Sequence, residues 1–385
     1  MNELRVGVIG VGGRGGLARN AHQPANGVRL VAGADTNPAA LAKFKADFAD
    51  AFVTDDYRKM LRRPDVDAVF VCAPDHLHEK MAVAALHAGK AVYLEKPMAI
   101  TVAGCDRILR AAYENRAKLY LGHNMRHMPF VVKMKRLIDK GAIGEVKAGW
   151  CRHFVGNGGE FYFRDWHADR RNTTGLLLQK GTHDIDVLHW LCGGYSRRVT
   201  GMGGLTVYGQ LKDRQPKNAA PPLMKLKAWP PTSLTQLYPV VDVEDLSMVL
   251  MELDNGVLCS YQQCHFTPDY WRNYTIIGTH GRIENFGNGG PGTVIRLWDK
   301  RKDYNPDANH VFPAPATSGS HGGADPSIVN EFIRFVRKGG PIATSPIAAR
   351  YSVAAGVLAT QSLRSGGKPK SVPPIDPKVD AYFRL

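Results

Sequence analysis

The sequence predicts two domains of different architecture: a Rossmann-type α/β unit on a doubly wound parallel sheet over residues 1–123, then an α+β domain on a large, mostly antiparallel open sheet over 124–385. Three observations predict this. The first third alternates short apolar, β-rich runs with helical patterns, as strands buried on both faces and joined by helices require. A glycine-rich turn directly follows the first run. Beyond residue 123 the texture changes to long alternating runs, and 385 residues exceed the roughly 150 of one average domain.

The strand runs of the first domain are Leu4–Ile9, Val28–Ala34, Ala68–Cys72, Ala91–Leu94 and Lys118–Leu121. Between them, Pro38–Ala49 places Leu41, Phe44 and Phe48 at helical spacing, and Glu79–Ala88 carries an alanine-rich face. In the second domain, after a helix at Phe130–Lys140, the strand patterns are Glu145–Phe154, Arg198–Val207, Leu246–Leu253, Val257–Phe266 and Tyr274–Gly278. Asp254-Asn255-Gly256 suits the positive backbone angles of a hairpin turn. The helical stretch His183–Cys192 interrupts the series. Residues 209–240 are polar and rich in proline (Pro216, Pro221, Pro222, Pro230, Pro231, Pro239) and read as an excursion from the sheet. Helical patterns at Ser327–Lys338 and Pro346–Ser365 precede a proline-rich tail.

Composition narrows the functional classes. Hydrophobic residues make up 44% and charged residues 22%, a globular balance that excludes a disordered, collagenous or coiled-coil chain. The formal charge of +15 is spread along the sequence, so a basic surface is favoured over nucleic-acid binding. No run reaches the roughly 18 apolar residues of a membrane span, and no charged leader precedes an apolar stretch. Six cysteines without a CxxC pair read as reduced, buried thiols, and the expected compartment is the cytoplasm. His76 and His78 invite a metal reading, but Ala82 breaks the HExxH pattern, and no metal is expected.

Gly10-Val11-Gly12-Gly13-Arg14-Gly15 is a GxGxxG placed between the first strand and an expected helix. The first glycine permits a tight turn, the second lets backbone approach a pyrophosphate, and the third lets helix and strand pack closely. A helix start there offers unpaired N–H groups to phosphate. Asp35, with Thr36 after it, closes the second strand twenty residues beyond Gly15. Its carboxylate can accept from ribose hydroxyls and would repel a 2′-phosphate, which favours NAD over NADP.

Glu95-Lys96-Pro97 ends the fourth strand run, at the carboxyl edge where open α/β sheets bind ligands. Taken alone, Lys96 reads as a solvated strand-end charge. A second cluster is Gln179-Lys180-Gly181-Thr182-His183-Asp184-Ile185-Asp186. His183 and Asp186 stand three apart and are neighbours on a helix surface, so the carboxylate can orient the imidazole. A histidine at a helix start is, by itself, more often a cap or a packed residue.

Together these stretches resemble the Gfo/Idh/MocA family of NAD(P)-dependent oxidoreductases. The resemblance rests on the turn at 10–15, Cys72-Ala73-Pro74-Asp75-His76-Leu77-His78, Ala88-Gly89-Lys90, Glu95-Lys96-Pro97, His183 with Asp186, Gly278–Glu284 and the closing helix around Ala354–Ser362. It implies a cofactor site drawn from Gly10, Gly12, Gly13, Arg14, Gly15, Asp35, Thr36, Ala73, Pro74, Asp75, His78, Glu95, Lys96 and Asn124. It also implies that Lys96 contacts the reacting hydroxyl and that His183 is the general base. The chemistry is coherent: a neutral imidazole takes the hydroxyl proton and an ammonium stabilises the developing alkoxide. Where many sugar and cyclitol dehydrogenases of the family carry an aspartate, four residues before the histidine, this chain has Gln179. An amide cannot relay a proton, which leaves Asp184 or Asp186 as substitutes.

Further candidates for holding substrate are Arg126 beside Asn124, then Trp166, His167 and Arg170 in a stretch suited to a sugar face, and His321 before a helix. The expected activity is NAD-dependent oxidation of a secondary alcohol of a sugar, sugar derivative or cyclitol by a homodimer or homotetramer. Two alternatives stay open: a redox-neutral glycoside-cleaving enzyme that uses bound NAD transiently, and a non-catalytic sugar and dinucleotide sensor.

Overall fold

The computed structural model describes residues 3–217, 219, 228–315, 317 and 320–384. Two compact units emerge: Met1–His127 with Gly323–Arg350 and Pro374–Leu385, and Met128–Gly322 with Tyr351–Pro373. A division drawn along the chain at 123/124 does not contain this re-entry of distant segments into the first unit.

The first unit is built on six parallel strands: β1 (Leu4–Ile9), β2 (Val28–Ala34), β3 (Phe52–Thr54), β4 (Ala68–Val71), β5 (Ala91–Leu94) and β6 (Leu119–Leu121), in the order β3-β2-β1-β4-β5-β6. β3 is absent from the sequence reading because three residues are too short to show a period. The registers Ile9↔Ala34, Ile9↔Val71, Val71↔Leu94 and Leu94↔Leu121 align the carboxyl ends of five strands along one edge. Helix starts are capped by side chains: Asn37 accepts from Ala39 and Ala40 N–H, and Thr101 from Gly104 N–H. The core gathers Val6, Val8, Phe70, Tyr93 and Tyr120 against Ile328, Val329 and Phe332 of the re-entering helix Ala324–Lys338. Phe332 meets the rings of Phe70, Tyr93 and Tyr120 with centroids 5.2, 5.6 and 5.7 Å away.

The segment after the glycine turn is not the expected α-helix but a 3-10 helix, Gly13–Ala21. Gly13, Gly15, Gly16 and Asn20 explain the difference, since glycine and asparagine favour the α-helix poorly. The proline-rich tail also ends in a helix, Pro377–Arg384.

The second unit carries a nine-stranded mixed sheet of β7 (Val146–Val155), β8 (Ser196–Gly204), β9 (Leu246–Leu253), β10 (Leu258–Cys264), β11 (Tyr270–Gly278), β12 (Arg282–Phe286), β13 (Val294–Trp298), β14 (His310–Pro313) and β15 (Lys370–Ser371). Their order is β14-β13-β12-β11-β7-β10-β9-β8-β15, and only β7 and β10 pair in parallel. Gly256, at φ +83, makes the hairpin between β9 and β10. One sheet face packs on the helix Gly181–Cys192, whereas Met202, Met248, Leu250 and Leu258 stand exposed. Where it is described, the stretch 209–240 leaves the sheet as expected, and within it Leu234 and Leu237 are buried with Tyr162, Phe163 and Tyr208. Pro221 and Pro222 lie outside the described residues.

Candidate active site

In the first unit, the expected cofactor residues gather at the aligned strand ends. Gly10 adopts φ +83, and a Cβ there would lie 2.8 Å from the Cys72 carbonyl oxygen. A Cβ on Gly15 would lie 1.9 Å from the Gly10 oxygen, so the turn closes on itself only with glycine. Beside Gly13, by contrast, nothing lies within 4 Å of a Cβ position. The cap residue Gly12 supplies no capping side chain, and no acidic residue occupies the first turn of the 3-10 helix. A glycine-rich backbone turn without an acidic side chain in its first helical turn fits a pyrophosphate. Asp35 is half-buried at the end of β2 and accepts from Gly12 N–H at 3.2 Å and Asn37 N–H at 2.9 Å; Thr36 beside it is exposed.

Several of these residues serve one another rather than facing a ligand. Arg14 gives Nε to Glu95 at 2.8 Å and forks onto Asp325 at 2.7 and 3.1 Å, while Asn124 Nδ2 donates to Asp325 at 2.8 Å. Glu95 also accepts from the Lys96 N–H at 3.1 Å. The glycine turn, the Glu-Lys-Pro stretch and the start of the Ala324–Lys338 helix are thereby tied together. Asp325, at the start of that helix, is the hub. His78 is buried, with its ring nitrogens 2.7 Å from Pro97 O and 2.8 Å from Ala73 O. It therefore holds the Lys96-Pro97 turn, a cis peptide, against the loop after β4, and neither nitrogen is left for a cofactor. Pro74 starts the short helix Asp75–Leu77. Burial pushes the Asp75 carboxyl up to about 8, against the opposing pull of the Lys96 charge. Arg126 Nη1 donates to Ala343 O at 2.8 Å.

In the second unit, the Gln179–Asp186 cluster straddles two helices, Leu176–Gln179 and Gly181–Cys192. Gln179, His183 and Asp186 are all buried, and Lys180 is half-buried. Asp184 is fully buried; it accepts from Tyr274 OH at 2.5 Å, His153 Nδ1 at 2.8 Å and Tyr261 OH at 3.1 Å, and forms an ion pair with the Arg272 guanidinium at 3.0 Å. Against the cost of burial, His153 and Arg272 first among its partners hold its carboxyl below the usual range. This carboxylate is a structural anchor fixing the helix that carries His183, and its committed oxygens remove it as a stand-in for the missing relay aspartate. Burial and the Arg272 charge hold His153 down at about 3, hence neutral.

The remaining substrate candidates are placed differently. Trp166 stacks on His167 at 3.8 Å, and His167 is buried against Phe161 and Tyr162. Arg170 is exposed and pairs with Asp242 at 2.9 Å, a surface strut. The His321 side chain lies outside the described residues. Among the described residues, no three His, Cys, Asp or Glu side chains could hold a metal ion together, and no helix is long and apolar enough to cross a membrane. The sequence reading missed Asp325, His153, Tyr261, Arg272 and Tyr274 as site residues; only alternation along β7, β10 and β11 placed the last four on an inward face.

A glycine-cradled parallel sheet with an acid closing β2 and Glu-Lys-Pro closing β5 defines a dinucleotide-dependent oxidoreductase. Comparison with known proteins narrows the class. Residues 4–123 match the model of the oxidoreductase family NAD-binding Rossmann fold, and residues 135–371 match that family's C-terminal alpha/beta domain. The chain belongs to the Gfo/Idh/MocA oxidoreductase family, and its first unit is an NAD-binding domain. Levoglucosan dehydrogenase of Pseudarthrobacter phenanthrenivorans is 26% identical, with 92% of this chain and 94% of that protein aligned. Inositol 2-dehydrogenase of Salmonella typhimurium is 32% identical over 49% of this chain and 54% of that protein, so the match spans about half its length. A solved structure of levoglucosan dehydrogenase in complex with NADH and levoglucosan shares the fold at TM-score 0.77 and 22% identity, covering 97% of this chain and 100% of that chain.

Proposed function

We propose that this protein oxidises a secondary alcohol of a sugar, sugar derivative or cyclitol with NAD, with Lys96 and His183 as the catalytic residues. The observation that carries the reading is Lys96 itself, set at the end of β5 on the edge where the glycine turn and Asp35 also lie. The names of the levoglucosan and inositol dehydrogenase relatives support the substrate class. When bound, NAD supplies the two-electron acceptor. Gly10, Gly12, Gly13 and Gly15 would hold its pyrophosphate and Asp35 its adenine ribose. The imidazole of His183 takes the hydroxyl proton, with Asp186 orienting it and the Gln179 amide hydrogen-bonding a substrate hydroxyl, and the Lys96 ammonium lowers the energy of the alkoxide. The exposed Met202, Met248, Leu250 and Leu258 on one sheet face support a homodimer or homotetramer, to be read by light scattering.

The test is a polyol panel followed by A340, with wild type, Lys96→Met and His183→Ala. Each substitution is expected to lower kcat by about 100-fold or more while leaving NAD affinity within a few-fold. Full activity in either variant would overturn the assignment of that residue. Aglycone release from a glycoside without net NADH would point instead to redox-neutral cleavage, the reading that Gln179 keeps open.

A further inference from the structure

Lys180 is an unusual residue at its position. It is the cap of the twelve-residue helix Gly181–Cys192, where the helix macrodipole is positive and a cation is unfavourable. Its Nζ sits 3.3 Å from the Tyr270 hydroxyl and over the rings of Tyr270 and Tyr162, 5.6 and 5.8 Å from their centroids. Among the described residues, the one carboxylate whose charge bears on it is Asp184, which Arg272, His153 and two tyrosines already occupy. Lys180 is thus the excess positive charge of this cluster. Burial, then the Arg272 charge, push its ammonium down to about 7, the response of a cation lacking its counter-ion.

The surroundings carry spare hydrogen-bonding capacity. His265 is fully buried, its ring 5.1 Å from that of Tyr162, and neither ring nitrogen has a partner among the described residues. His153, whose ring meets Tyr270 edge-on at 5.5 Å, keeps a buried Nε2 without one. The Lys180 charge acts on both imidazoles. Such groups cost stability unless a ligand or water completes them.

Resting on the activity proposed above, we propose that Lys180, with Tyr270, Tyr162, His153 and His265, forms a subsite for a carboxylate of the substrate, so that the preferred substrate is a sugar acid. Lys180 stands three residues before His183, and its helical backbone angles make the two neighbours on one helical surface. An anion there would meet the ammonium and the positive helix end together. One excess charge matches a carboxylate monoanion better than a phosphate dianion.

The experiment compares D-glucuronate, D-galacturonate and D-gluconate with glucose, galactose, sorbitol and glucose 6-phosphate, using NAD and the full-length protein. Wild type is expected to favour the carboxylates by about 10- to 100-fold in kcat/KM, mainly through KM. Lys180→Met should abolish that preference, Lys180→Arg should restore much of it, and NAD affinity should stay unchanged in both. Neutral polyols or the phosphate turned over as well as the acids, or Lys180→Met lowering all substrates equally, would overturn the carboxylate subsite while leaving the dehydrogenase reading intact. If no member of the panel reduces NAD, the dehydrogenase reading falls and the subsite with it.

Discussion

Replacing Asp184 by asparagine tests whether the second unit is organised around one buried anion. The carboxylate takes hydrogen bonds from Tyr274, His153 and Tyr261 and an ion pair from Arg272, all at 2.5 to 3.1 Å. An amide offers one acceptor oxygen, and its NH2 would face groups that are themselves donors. Arg272, buried at 4% exposure, would be left charged and uncompensated. Removing one partner of a buried ion pair costs about 3–5 kcal/mol. For a unit of this size that is a fall in Tm of roughly 6–20 °C. The assay is thermal unfolding followed beside NAD titration, which reports on the first unit. Because the folded carboxyl sits below its ordinary value, its contribution is complete above about pH 4 and fades only at lower pH. A loss below about 1 kcal/mol at pH 7, or an equal loss at every pH down to acid unfolding, would refute the charge-balanced anchor.

Gly15→Ala places a methyl 1.9 Å from the Gly10 oxygen, so either soluble expression or NAD binding is expected to be lost; tight NAD binding by fluorescence would contradict the closed turn. Asp35→Ser removes a charged acceptor and should weaken NAD about 10- to 100-fold while improving NADP, measured by calorimetry. For Asp75→Asn the sign follows from a carboxyl raised to about 8 when folded. The wild-type residue loses stability as pH rises from about 4 to about 8. The variant should therefore gain Tm over wild type across that interval and hold the gain above it.

The parallel sheet, the glycine turn and the Glu-Lys-Pro stretch were legible because each is a local signal: apolar runs of strand length, and residue types whose backbone demands follow one another in sequence. The 3-10 segment after the turn was misread because the helix expectation came from position in the motif and outweighed its glycine-rich composition. Asp325 could not be seen, since its partners Arg14 and Asn124 are far away in sequence and nothing in a turn before a helix announces them. The cage around Asp184 escaped for the same reason: β7, β10 and β11 each supply one or two members. Alternation tells which residues point inward, but not which of them meet.

The return of residues 323–350 to the first unit has a practical consequence for anyone dissecting this protein. A gene fragment stopped after the sixth strand would encode every recognisable nucleotide-binding signature. It would nonetheless leave Phe70, Tyr93 and Tyr120 without the Phe332 ring that covers them, and Arg14 without one of its two acidic partners. Such a fragment should be sticky and short-lived, whereas splicing the 323–350 segment back on through a flexible linker should recover a soluble, NAD-competent module.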